Sequence, residues 1–143
     1  MIQRLQSIFL FLASGACFGL LGTDAADSPA PVPSSDLFAD GSFNVFDSPV
    51  LIGAFVLAGV LLLANIFLYN NRPLQMKIAT GAIAVVAFGV GFGLYEFFTD
   101  GASETATPDI GIGLPILAFI FAILANKYIK ADEKLVRSAD RLR

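Results

Sequence analysis

Residues 49–69 read PVLIGAFVLAGVLLLANIFLY, twenty-one consecutive positions without a charge, opened by a proline and followed by Asn70-Asn71-Arg72-Pro73. A helix rising about 1.5 Å per residue needs roughly 20 apolar residues to cross about 30 Å of hydrocarbon, and this stretch has that length. Only a helix or a closed barrel can satisfy its backbone in such a medium. Barrel strands alternate apolar and polar residues, and this run does not, so the reading is a membrane-spanning helix.

Three further runs share its character. Residues 78–98, IATGAIAVVAFGVGFGLYEFF, are as long and carry Glu96 close to their end. Residues 110–128 are uncharged up to Asn126, and Lys127 at a helix end can extend its ammonium to the interface. Residues 5–22 follow Arg4 and resemble a secretory signal peptide, with Ser14-Gly15-Ala16-Cys17 as an imperfect lipoprotein cleavage site. A lipobox favours an aliphatic residue where Ser14 stands, and length and flanks favour a permanent span, in which Cys17 is a small apolar residue. The expected fold class is therefore an all-α integral membrane protein, a single domain over 1–143. Its four transmembrane helices form an up-down bundle, with the fourth helix extended into the cytoplasm.

The whole composition agrees. Of 143 residues 56% are hydrophobic and 15% charged, with a mean hydropathy of +0.74, far more apolar than a soluble domain. One cysteine, no histidine and no tryptophan leave no disulfide framework and no His/Cys metal cluster within one chain, so no metal or cofactor is expected. The net charge of −3 conceals a separation. All nine basic residues (Arg4, Arg72, Lys77, Lys127, Lys130, Lys134, Arg137, Arg141, Arg143) lie on one side of a four-span arrangement. Nine of the twelve acids lie on the other: Asp24, Asp27, Asp36, Asp40, Asp47, Glu96, Asp100, Glu104 and Asp109. Basic residues mark the cytoplasmic side, so both termini are expected in the cytoplasm of a bacterial inner membrane, with 23–48 as a periplasmic loop. An acidic total with membrane-side cations excludes nucleic acid as a partner and leaves membrane lipids.

Between the spans, Ser28 to Ser35 is rich in Pro and Ser and is expected to be extended and poorly ordered. Beyond it Leu37, Phe38, Phe43, Val45 and Phe46 flank Asp40-Gly41, a weak hairpin signal in an aromatic loop expected to rest on the membrane interface, with a contact surface for a periplasmic partner as the alternative. Thr99 to Asp109 reads as a simple acidic connector.

No Asp, Glu, Lys or Arg lies near the middle of any span, where ion and proton pathways place them. Catalytic residues are likewise not found: without histidine or clustered carboxylates only Ser, Thr and Cys are left to build a nucleophile and its base, and no enzyme is expected. The candidate positions concern packing and docking. Gly15 with Gly19, and Gly89 with Gly93, form small-xxx-small pairs that let helices approach, within the chain or against another subunit. Asn65 and Asn126 lie near the inner ends of spans two and four, where their amides could bond between helices. From Asn126 onward, NKYIKADEKLVRSADRLR has no Gly or Pro, and 129–143 is expected to continue as an amphipathic tail. In it Lys130, Lys134, Leu135, Arg137, Arg141, Leu142 and Arg143 are candidates for contact with anionic lipid or a cytosolic partner, and Glu133 can pair with Arg137.

These residues also carry a resemblance. Met1-Ile2-Gln3-Arg4-Leu5-Gln6, Asn71-Arg72-Pro73-Leu74-Gln75 and the ending Ala125 to Arg143, above all DEKLVRSADRLR, resemble a family of small four-span membrane proteins of the Bacteroidota, a domain of unknown function. The resemblance implies an inner-membrane location and four helices, and no activity. The function expected is an accessory or scaffold subunit of a larger inner-membrane complex, without catalysis. The alternative is a small transporter or channel-like protein acting as a homo-oligomer.

Overall fold

The computed structural model describes residues 2–141, so Leu142 and Arg143 lie outside the described residues. Four helices dominate: α1 (Ile2–Gly19), α2 (Pro49–Ile66), α3 (Arg72–Thr99) and α4 (Gly113–Asp140). Each is long and apolar enough to cross a membrane. They close a ring in which α1 packs on α2 and α4, and α3 on the same two. Successive helices run antiparallel, so the start of α1, the α2–α3 link and the finish of α4 share one end, called here the terminal end.

The boundaries have local causes. Pro49 opens α2 in the first helical turn, where its missing N–H costs nothing. Asn71 caps α3, its Oδ1 accepting from the Leu74 amide at 3.2 Å, with Pro73 in the first turn. The cap explains why α3 starts six residues before the apolar run expected from Ile78. Likewise α4 runs unbroken from Gly113 through the charged tail to Asp140.

Small residues occupy the centre. Ala13, Cys17, Ala54, Ala58, Ala79, Ala82, Ala118, Ala122 and Ala125 are buried, alongside Leu10, Phe55, Leu62 and Val86. Large side chains such as Phe11 (63% exposed), Leu57, Phe88, Ile116 and Ile120 point outward. Shedding side-chain bulk at the seams brings the backbones together: the Ser14 hydroxyl donates to the Gly59 carbonyl at 2.9 Å, and the Phe18 ring covers Gly59.

The opposite, or sheet, end departs from expectation. Residues 23–48 do not form a loose loop, and 99–109 is more than a connector. Strands β1 (Ala26–Asp27), β2 (Ser42–Phe43) and β3 (Thr107–Pro108) form an antiparallel sheet in the order β2-β1-β3, with Ala26 opposite Phe43 and Pro108. The Pro-rich segment is folded beneath it: the Val32 amide donates to the Phe38 carbonyl and the Gly41 amide to the same oxygen. Gly41 takes φ +97°, a conformation that glycine adopts freely, which turns the chain into β2. Leu37, Phe38, Phe43 and Val45 are buried, and the rings of Phe38, Phe43 and Phe97 stand 6.1–6.2 Å apart as a small aromatic core. The expected interfacial aromatic loop is therefore turned inward, with Phe46 left exposed. Hydrophobic burial against the end of α3 orders it where composition alone suggested disorder.

Candidate functional site at the terminal end

Four residues from the tail converge there. Lys130, Lys134, Arg137 and Arg141 recur at three- and four-residue spacing, so they share one face of α4. With Glu133, Ser138 and Met76 of α3 they line a groove of about 650 Å³. Leu135 is 54% exposed and is not among the groove residues, so the apolar stripe expected along the tail is not the surface that closes on α3. Two ion pairs hold this arrangement. Arg72 Nε donates to Asp132 Oδ2 at 2.8 Å, tying the first turn of α3 to α4. Arg137 Nε donates to Glu133 Oε1 at 2.7 Å, the i, i+4 pair expected from the sequence.

Above the groove the bundle interior turns polar. Asn65 is fully buried, Gln75 is fully buried, Gln6 is 1% exposed and Asn126 8%. Asn65 and Asn126 do not bond to one another. Gln75 Nε2 donates to the Asn65 main-chain carbonyl at 3.1 Å, and Asn126 Nδ2 approaches Thr80 Oγ1 at 3.4 Å. Gln6 and Gln75 were missed by reading the sequence because Gln6 is the second residue of its apolar run and Gln75 precedes its own. The signal for them is spacing: Gln6 stands four residues before buried Leu10, and Gln75 four before buried Ala79.

The glycines divide. A methyl group on Gly89 would meet the Phe55 ring at 3.0 Å, one on Gly93 would meet Leu51 at 3.4 Å, and one on Gly19 would meet Leu114 at 3.2 Å. Gly15 has nothing within 4 Å, so it makes no close contact within the chain, and its pairing with Gly19 is not a packing motif of this bundle. Gly59, which lacks a glycine partner at i±4, is instead tightly covered: a methyl group there would meet the Phe18 ring at 2.9 Å. Gly89 and Gly93 also line an apolar crevice of about 260 Å³ between α3 and α4, below the sheet.

Acids gather at the sheet end. Burial pushes the Asp47 carboxyl above its ordinary range; its bond from the Asn44 amide opposes this, and the charges of Asp40, Asp24 and Glu96 reinforce it. Asp100 is held below the usual range, first by the Ser35 hydroxyl donating to it at 2.6 Å. Among the described residues no group of acids, cysteines or histidines could hold a metal ion.

No curated protein and no solved structure matches this chain. A family does, across residues 2–142: the chain belongs to the family described as a domain of unknown function (DUF4293).

Proposed function

We propose that this protein is a four-span component of a bacterial inner membrane, both termini cytoplasmic, acting as a non-catalytic accessory or scaffold subunit of a larger membrane assembly. The observation that carries the reading is the basic groove on α4, where Lys130, Lys134, Arg137 and Arg141 face outward around one acid already engaged by Arg137. An acidic surface of a cytosolic or membrane partner fits such a lining, with Met76 as its apolar floor. Insertion is supported by a bundle whose large apolar side chains face outward. Orientation is supported by the nine basic residues on one side of the four spans.

The test is a gentle-detergent pull-down of the tagged native protein, analysed by mass spectrometry and native gel, with two variants. Lys130→Gln combined with Lys134→Gln should release a stoichiometric partner. Lys77→Gln combined with Lys127→Gln removes two equal charges outside the groove and should retain it. Recovery of a lone monomer or homo-oligomer from the native protein would overturn the subunit reading and favour the small transporter-like alternative. Equal loss from both double variants would remove the groove from the argument.

A further inference from the structure

The buried carboxamides occupy a layer about two helical turns deep, and each helix contributes one. The Ser14–Gly59 bond sets α1 and α2 level at that point. Gln6 lies about 12 Å from Ser14 along α1, and Asn65 about 9 Å from Gly59 along α2, both toward the terminal end. Phe9 stacks on Tyr128 with centroids 5.4 Å apart, which places Asn126 about 7–8 Å further toward the bundle centre than Gln6. Gln75 reaches the Asn65 carbonyl directly. Toward the bundle centre the next buried positions are Leu10, Leu62, Ala79 and Ala125, so the layer has an apolar ceiling.

Its hydrogen bonding does not close. Gln6 Oε1, Asn65 Oδ1, Asn65 Nδ2, Gln75 Oε1 and Asn126 Oδ1 are all buried without a partner. Turning an amide over does not cure this, because each terminal amide keeps one oxygen and one nitrogen whichever way it points. Turning Gln75 would also forfeit its bond to Asn65. A buried polar atom without a partner costs more than a formed bond returns, and five together would rival the net stability of a small domain. The missing partners must be mainly donors, since four of the five atoms are carbonyl oxygens.

We infer that this layer encloses a cluster of ordered waters, a hydrated chamber at the terminal end of the bundle capped by a dry core. Water suits the set because each molecule makes roughly 2–4 bonds and both donates to the carbonyls and accepts from Asn65 Nδ2. A metal cation fits less well. It would accept nothing from Asn65, and no free carboxylate balances its charge: Asp132 is engaged by Arg72 and Glu133 by Arg137. The inference stands on the packing and does not depend on the subunit reading.

The experiment is water-edited solid-state NMR on the isotopically labelled full chain in lipid bilayers, in a buffer free of alkali cations. Magnetisation from water should reach the side-chain amides of Gln6, Asn65 and Gln75 several-fold faster than the methyls of Leu62 and Val86. Gln6→Met, which keeps the length and removes the carbonyl, should slow the transfer to Asn65 and Gln75; should it fail to fold, Asn126→Leu serves the same purpose from another helix. Amides as slow as Val86 would overturn the inference, and so would transfer that appears only on adding sodium or potassium, which would make the occupant an ion.

Discussion

Gly111→Ala should damage the sheet end out of proportion to its one added carbon. Gly111 lies in the turn Ile110–Ile112 that leads into α4, and its amide donates to the Asp24 carbonyl at 2.9 Å. A methyl group there would overlap the Asp24 carbonyl oxygen, sit 2.7 Å from the carbonyl carbon and 3.0 Å from Thr23 Oγ1. Ordinary contact begins at 3.4 Å, so the chain would have to withdraw by more than about 0.7 Å from backbone atoms that no rotamer change can move. The withdrawal breaks the Gly111 bond and strains its neighbour, the Asp109 amide donating to the Ala25 carbonyl at 2.9 Å. Two bonds at about 1 kcal/mol each, with about 1–3 kcal/mol of overpacking, total about 3–5 kcal/mol. For a chain of this size that corresponds to a fall of about 10–17 °C in Tm. The assay is built in: Cys17 is the only cysteine and is 1% exposed, so a thiol-reactive fluorophore reports melting of the bundle in detergent. Gly113→Ala is the control, because a methyl there meets nothing within 4 Å. It should be neutral or raise Tm slightly, as alanine is the better helix former by about 0.5–1 kcal/mol. A Gly111→Ala protein melting with the native one, or a Gly113→Ala protein equally damaged, would refute the reasoning.

Replacing Gly89 and Gly93 together with leucine should cost about 1–3 kcal/mol per site against Phe55 and Leu51, read as a lower melting temperature in the same assay. Gly15→Leu should leave melting unchanged; a smaller complex on a native gel with unchanged melting would place Gly15 against another subunit. Asp47 binds its proton more tightly folded than unfolded, so the stability of its protonated form is lost as pH rises from 3.8 through its raised value. Asp47→Asn, which can still accept from the Asn44 amide, should therefore raise Tm at neutral pH and leave it unchanged at the acid end, as melting curves across pH would show. Arg72 and Asp132 are 23% and 14% exposed, so a double-mutant cycle with alanine should return a coupling of about 0.5–1 kcal/mol. A zero coupling would mean that the pair does not anchor α4 to α3.

How much was legible in the sequence depended on how local its cause was. Four helices long and apolar enough to cross a membrane follow from runs of side chains, and so does the continuation of α4 through a tail without Gly or Pro. The pair Glu133–Arg137 is one helical turn of spacing. Each of these is a property of neighbours along the chain, which is why reading along the chain finds it. The glycine pairs were only half legible: spacing shows which residues lack bulk, but whether another helix lies opposite depends on a rotation about the axis that spacing does not define, so Gly89 and Gly93 meet neighbours while Gly15 does not.

The sheet and the polar layer were decided by tertiary structure alone. Ala26 pairs with Pro108, and the Ser35 hydroxyl donates to Asp100, across more than sixty intervening residues. A Pro-rich segment becomes ordered because Phe38 finds Phe97 at the end of a helix formed elsewhere in the chain. Asn65 and Asn126 could be picked out as polar residues at the inner ends of apolar runs, but that Gln6 and Gln75 are buried with them is decided only when the ring of four helices closes. Composition determined the apolarity and the lengths of the helices; which polar groups would lose contact with bulk water was determined only when those helices packed, because burial is a property of what surrounds a residue and not of the residue itself.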